Sequence, residues 1–206
     1  MSDPILMFEA VKRAANARLT GIAPDLLDQE ARWVLDEFLR ETRIWRRTLT
    51  VALVAGQEDY TLDIADYESV AGVQAVAYGA AGLMAGVERM TRTRTGAPTT
   101  AGMLTDRTIR VYPIPSAGLT EPLTVDVWLT MLVHVDQPPP DVILPFQDAL
   151  LQGLLVRCYS IPNVAWTNLQ LAGAHQISYE GAKARVRRQV GAARMRGTQF
   201  MRIPRF

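Results

Sequence analysis

With 206 residues, 49% hydrophobic and 21% charged, the chain can bury a core in one domain or two small ones. No apolar run approaches the ~18 residues of a membrane span, and Ile5-Leu6-Met7-Phe8 is followed at once by Glu9, Lys12 and Arg13, unlike a signal peptide. The single Cys158 excludes an internal disulfide and fits a reducing compartment. The formal net charge of +1 conceals a division: Gly181 to Phe206 carries eight basic residues and no acidic one, so the remainder carries 14 basic groups against 21 acidic.

Residues 4–19 read as a helix, with Phe8, Val11, Ala15 and Leu19 at spacings of three and four and Gly21 as its stop. Pro24 then opens a second helix to about Thr42. Its apolar face is Leu27, Ala31, Val34/Leu35 and Phe38, and Asp25, Asp28 and Glu30 suit the positive end of its dipole.

The period next changes from 3.6 to 2. Leu49, Val51 and Leu53 alternate with polar or small residues; Tyr60, Leu62 and Ile64 follow the turn Gly56-Gln57-Glu58-Asp59. Val70–Tyr78, Leu83–Met90 and Thr108–Tyr112 are further strands, with Gly79–Gly82 as a turn. The clearest is Leu123-Val125-Val127-Leu129-Met131, five apolar positions on one parity. These short strands predict a small antiparallel sandwich or barrel.

Gln137–Asp141, with three prolines, ends the sheet. Pro145 opens a helix that is apolar on most sides (Phe146, Leu150, Leu151, Leu154, Leu155, Cys158), so it is expected to be central and to pack against residues 24–42. Pro162 ends it. A last helical stretch runs from about Asn163 to Met195 through Trp166, Leu169, Ala172/Gly173, Ile177, Ala184 and Val190. The predicted fold class is α+β: a helical bundle formed by 1–46 and 141–195, an inserted β domain at 47–140, and an extended basic docking tail at 196–206.

No residue pattern points to chemistry. His134 and His175 have no cysteine or carboxylate at metal-ligand spacing, so no metal site and no cofactor is expected. Cys158 reads as a buried structural thiol, not a nucleophile. Gly79-Ala80-Ala81-Gly82 lacks the Lys-Ser/Thr of a phosphate loop, and no G-x-S-x-G occurs. Asp59, Asp63, Asp66 and Glu68 read as a solvated acidic loop. Trp33, Trp45, Trp128 and Trp166 lie on different elements, as core or interface anchors would. No catalytic residue is expected, and no enzyme.

The basic end has three readings. It is a solvated terminus, a phosphate-binding arm with salt-dependent affinity, or a segment that docks on protein by β-addition or in a groove. The alternating end Phe200/Arg202/Pro204/Phe206 favours docking, because a purely electrostatic arm has no use for spaced aromatics.

In layout and short patterns the chain resembles the adaptor, or tail tubular, proteins of tailed bacteriophages, which join portal to tail. The resemblance lies in the helix ending Glu41-Thr42-Arg43-Ile44-Trp45 and the turn Gly56-Gln57-Glu58-Asp59-Tyr60-Thr61-Leu62. It continues in Ile109-Arg110-Val111-Tyr112-Pro113-Ile114-Pro115, in Leu144-Pro145 before a helix, and in Pro162, Trp166 and Asn168 before the last one. It implies a structural virion protein of the neck, assembled in the host cytoplasm. Its copies, typically twelve, would form a ring under the portal protein, with a nozzle or stopper protein below. Double-stranded DNA would pass through the lumen without sequence-specific binding. Such proteins commonly send their C-terminal segment into the portal. The expected portal-docking residues are therefore Arg185, Arg187, Arg188, Arg194, Arg196, Phe200, Arg202, Ile203, Arg205 and Phe206. The alternative is a small nucleic-acid-binding or packaging accessory protein that uses the same basic end on phosphates.

Overall fold

Apolar residues three and four apart give helix α1 over Pro4–Asn16, whose Phe8, Val11 and Ala15 are buried in the computed structural model, which describes residues 4–85, 94–132 and 140–199. The chain turns at Gly21, whose φ of +83° is left-handed backbone that favours glycine. Helix α2 spans Pro24–Thr42, with proline in its first turn, where no N–H is needed. Arg43, at φ 53°, ends it by donating its N–H to the Leu39 carbonyl over 3.0 Å.

Helix α3 begins at Pro140, not at Pro145, and runs to Ser160 with non-helical backbone at Phe146. Pro145 has no N–H to give and crowds the preceding turn, so the expected helix start is an internal break. Helix α4 covers Leu169–Gln199, with the Asn168 side chain accepting the N–H of Leu171 at 3.0 Å as its cap. Residues 163–168, expected to be helical, are instead a turn held by the Thr167 hydroxyl against Ile161 and Val164. At its other end the helix continues through Gly197, so 196–199 are helical and not extended.

Two compact units result: Met1–Ile44 with Met131–Phe206, and Trp45–Thr130. In the first, Leu27, Val34, Leu35 and Phe38 of α2 and Leu150, Leu154, Leu155 and Cys158 of α3 are buried, and the two helices are in contact. Gly153 marks the closest approach: a Cβ there would meet Val34 and Tyr179 at 2.8 Å. Phe38 packs its ring 5.6 Å from Phe146 and 6.4 Å from Tyr179. Leu151 is only half-buried.

The second unit is built of short strands. One sheet has the order β1 (Arg46–Val51), β10 (Leu123–Met131), β3 (Glu68–Tyr78), β4 (Ala81–Gly82). The other runs β2 (Asp59–Thr61), β8 (Thr108–Tyr112), β7 (Thr100–Met103), β5 (Met84–Ala85), and β6 (Thr95–Gly96) pairs β9 (Ile114–Pro115). Most pairings are antiparallel; β5–β7 and β6–β9 are parallel. Along β10 the parity rule holds, with Leu123, Val125, Val127, Leu129 and Met131 all buried. One apolar cluster draws on both four-stranded sheets: Leu49, Val76, Val125 and Val127 from the first, Tyr60, Ala101, Ile109 and Val111 from the second.

Among the described residues the sheets do not close into a barrel. Of the strand expected at Leu83–Met90, Met84–Ala85 form β5, and residues 86–90 lie outside the described residues. Trp45 belongs with the strands because its carbonyl accepts the Leu129 N–H at 2.8 Å.

Candidate docking surface

Helix α4 turns one face to α2 and α3, burying Ala172, Tyr179, Ala182, Lys183 and Val186. Lys183 opens the acid-free stretch of the sequence, yet it is 1% exposed. Its Nζ lies 3.0 Å from Glu37, 3.0 Å from Glu41 and 2.7 Å from Glu180, and 4.4 Å from the Tyr179 ring centroid. Burial pulls the ammonium pKa down, but the hydrogen bonds to Glu180, Glu37 and Glu41 outweigh it and the net shift is up. The Tyr179 hydroxyl is pushed up by burial and then by Glu37, Glu41 and Glu180. The first basic residue of the acid-free stretch is thus held in an internal cluster. The sequence reading missed this cluster, although Glu37/Glu41 and Glu180/Lys183 stand at the four- and three-residue spacings of helix neighbours.

The arginines that follow divide. Arg187 lies 3.9 Å from both Glu41 and Glu180 at the rim of that cluster. Arg185 and Arg188 are exposed and form no ion pair among the described residues. Arg185 also lines a groove of about 220 Å³ between α3 and α4, together with the apolar Phe146, Ala149, Ala182 and Val186 and the polar Asp148 and Gln189. Arg194 and Arg196 fall on the last turns of α4. Phe200, Arg202, Ile203, Arg205 and Phe206 lie outside the described residues.

Elsewhere several charged groups are engaged with one another. Asp59 accepts two hydrogen bonds from Arg110 at 2.6 Å each; Glu68, 1% exposed, accepts two from Arg47 at 2.7 and 2.6 Å and a third from the Ala65 N–H. The supposed acidic loop is therefore half salt bridge; only Asp63 and Asp66 project fully into solvent, Asp66 touching Arg107 at 3.4 Å. Cys158 is buried and its thiol pKa is pushed up to about 12 by desolvation. His175 stacks on Tyr159 at 5.7 Å and shares a hydrogen bond with Gln152; burial and then Arg18 lower its pKa. His134 lies outside the described residues. The indole of Trp128 covers Gly72, where a Cβ would meet it at 2.2 Å, while Trp33 is 43% exposed on α2.

Among the described residues no three His, Cys, Asp or Glu side chains gather as metal ligands, and no helix is long and apolar enough to cross a membrane. Fold and surface together define an α+β protein whose accessible chemistry is an arginine-bearing helix leading into a basic end. A family model described as SU10 adaptor protein matches residues 6–201, and the chain belongs to that family of phage head–tail adaptors. No curated protein matches it.

Proposed function

We propose that this protein is a structural, non-enzymatic component of the virion neck, assembled in the host cytoplasm as a ring of about twelve copies between the portal protein and a nozzle or stopper protein. In this reading the helices of both chain ends form a bundle, residues 47–140 are an inserted sandwich domain, and double-stranded DNA passes through the lumen without sequence-specific contacts. The observation that carries it is the pair Arg185 and Arg188, exposed and without an ion pair among the described residues, on the helix that leads towards Phe200–Phe206 in a chain of an adaptor family. Desolvated arginines want carboxylates, and a portal surface supplies them together with pockets for Phe200, Ile203 and Phe206.

Deletion of 197–206 is expected to leave the melting temperature nearly unchanged and to abolish attachment to portal-bearing heads. Attachment equal to that of the full chain would remove the docking role. The same arginines favour one second reading, binding to phosphates. If the truncation spared attachment but steeply lowered a salt-dependent DNA affinity, that reading would replace the first.

A further inference from the structure

Strand β1 ends its sheet, and its far edge carries unused backbone. Its register against β10 runs unbroken from Arg46 opposite Trp128 to Val51 opposite Leu123. The Leu129 N–H donates to the Trp45 carbonyl at 2.8 Å, so Trp45 and Leu129 are a hydrogen-bonded pair of this antiparallel ladder. Such pairs recur at every second residue, here at Arg47, Leu49 and Val51. The N–H and C=O groups of Thr48 and Thr50, which lie between them, therefore point away from β10. Among the described residues nothing hydrogen-bonds those four groups.

Proteins blunt such an edge with shortness, proline, a bulge or charge along the strand. The other end strands of the two four-stranded sheets are short: β2 has three residues, β4 and β5 two each. β1 has six residues and no proline, glycine or bulge, and its charges stop at Arg47. Its inward parity is apolar beyond that point. Leu49 is buried, and Val51 and Leu53 are half-buried against the core of the unit. Its outward parity, Thr48 and Thr50, is polar and exposed. Donors and acceptors repeating every about 7 Å along one line are what a second extended backbone matches.

We propose that the free edge of β1 receives an extended, carboxylate-bearing segment of a different protein, which adds to the sheet as a fifth strand. The side chains of that segment alternate. Apolar ones continue the row of Leu49 and Val51, and polar ones stand beside Thr48 and Thr50. Charge selects the occupant. From Thr42 to Gln57 the chain has Arg43, Arg46 and Arg47 and no acidic residue. β1 of a second copy would bring like charge to this edge, whereas a segment with carboxylates brings the opposite charge. The inference stands apart from the adaptor reading and needs neither the ring nor the basic end.

The test uses the full chain and a fluorescent heptapeptide that alternates valine with threonine and glutamate, read by anisotropy and by amide hydrogen exchange. In the free chain the amides of Thr48 and Thr50 are expected to exchange at least about tenfold faster than those of Leu49 and Val51, which β10 holds. Bound peptide is expected to slow them. Thr50→Pro removes one outward N–H, at an edge position where proline is tolerated. It is expected to weaken peptide binding at least about tenfold, while Thr50→Val, which keeps the N–H, binds as wild type does. Should Thr50→Pro disturb the fold, the exchange pattern of wild type decides. No peptide binding up to about 1 mM overturns the proposal, as does binding that Thr50→Pro leaves unchanged. Slow exchange of Thr48 and Thr50 in the free chain at every concentration would show the edge covered from within. Exchange that slows as the chain alone is concentrated would give the edge to a second copy. Either result also overturns the proposal. Deleting 197–206 tests the adaptor reading separately, because it leaves β1 intact.

Discussion

The strand-built unit and the second half of α4 handle the same side chain in opposite ways. In the strand-built unit Arg47 and Arg110 are closed onto Glu68 and Asp59 by paired hydrogen bonds of 2.6–2.7 Å. On α4 three carboxylates converge on the buried Lys183, and Arg185 and Arg188, two and five residues on, pair with none among the described residues. The guanidinium group is identical in both; what differs is whether the fold brings a carboxylate to it. Composition reports how many arginines a chain has, and only packing reports how many are left over for a partner.

Removing Lys183 should break the comparison most severely. Lys183→Ala leaves Glu37, Glu41 and Glu180 facing each other with their cation gone. The expected cost is about 3 kcal/mol, at the low end for a broken buried pair because these carboxylates keep contact with water. Denaturant melts would measure it, and a loss under about 0.5 kcal/mol would mean the cluster relaxes into solvent. Because its folded pKa is raised, the stability Lys183 contributes is present below the unfolded value of 10.5 and lost as pH climbs through the folded one. Wild type should therefore lose more stability than Lys183→Met above pH 10.5.

Glu68→Gln comes next. It keeps the shape and removes the charge facing Arg47, with an expected loss of roughly 2 kcal/mol, visible as a lower denaturant midpoint. His175 gives a smaller, pH-dependent effect. Its folded pKa is lowered, so neutral His175 is favoured in the fold. That contribution is present above pH 6.5 and lost as pH falls through the folded pKa. His175→Asn should flatten the stability profile between pH 7 and 5; an unchanged slope would point to another group. Smallest of all is Arg188→Ala, expected within about 0.5 kcal/mol of wild type because that side chain is exposed and makes no ion pair among the described residues. A larger loss would show that the arginine is not surplus.

Much of the architecture was legible because period survives without tertiary context. The five alternating residues of β10 and the α2 face Leu27–Phe38 are buried as their spacing requires. What was illegible depended on neighbours distant in sequence. Strand β7, Thr100-Ala101-Gly102-Met103, has too little apolar contrast to alternate and is held by its pairing with β8. On α4 the spacing runs through Leu169, Ala172/Gly173 and Ile177, but of these only Ala172 is buried, and Tyr179, Ala182, Lys183 and Val186 face inward with it. A lysine on the buried face misleads any hydrophobic count, since three carboxylates from two helices must arrive before it can be there. Of the expected docking residues, Arg185 and Arg188 are accessible, Arg187 is shared with Glu41 and Glu180, and the sequence held no sign of that division.

The buried thiol of Cys158 makes the molecule a ready chassis for chemistry that it does not itself perform. Burial pushes the Cys158 thiol pKa up, so the reactive thiolate is disfavoured at neutral pH, and the buried sulfur is shielded from reagents as well. A cysteine placed at an exposed position such as Ile177 or Trp33 would be the one group a maleimide finds. Fluorophores, spin labels and cross-linkers can be attached there one at a time, without first deleting the native residue and disturbing the centre of α3.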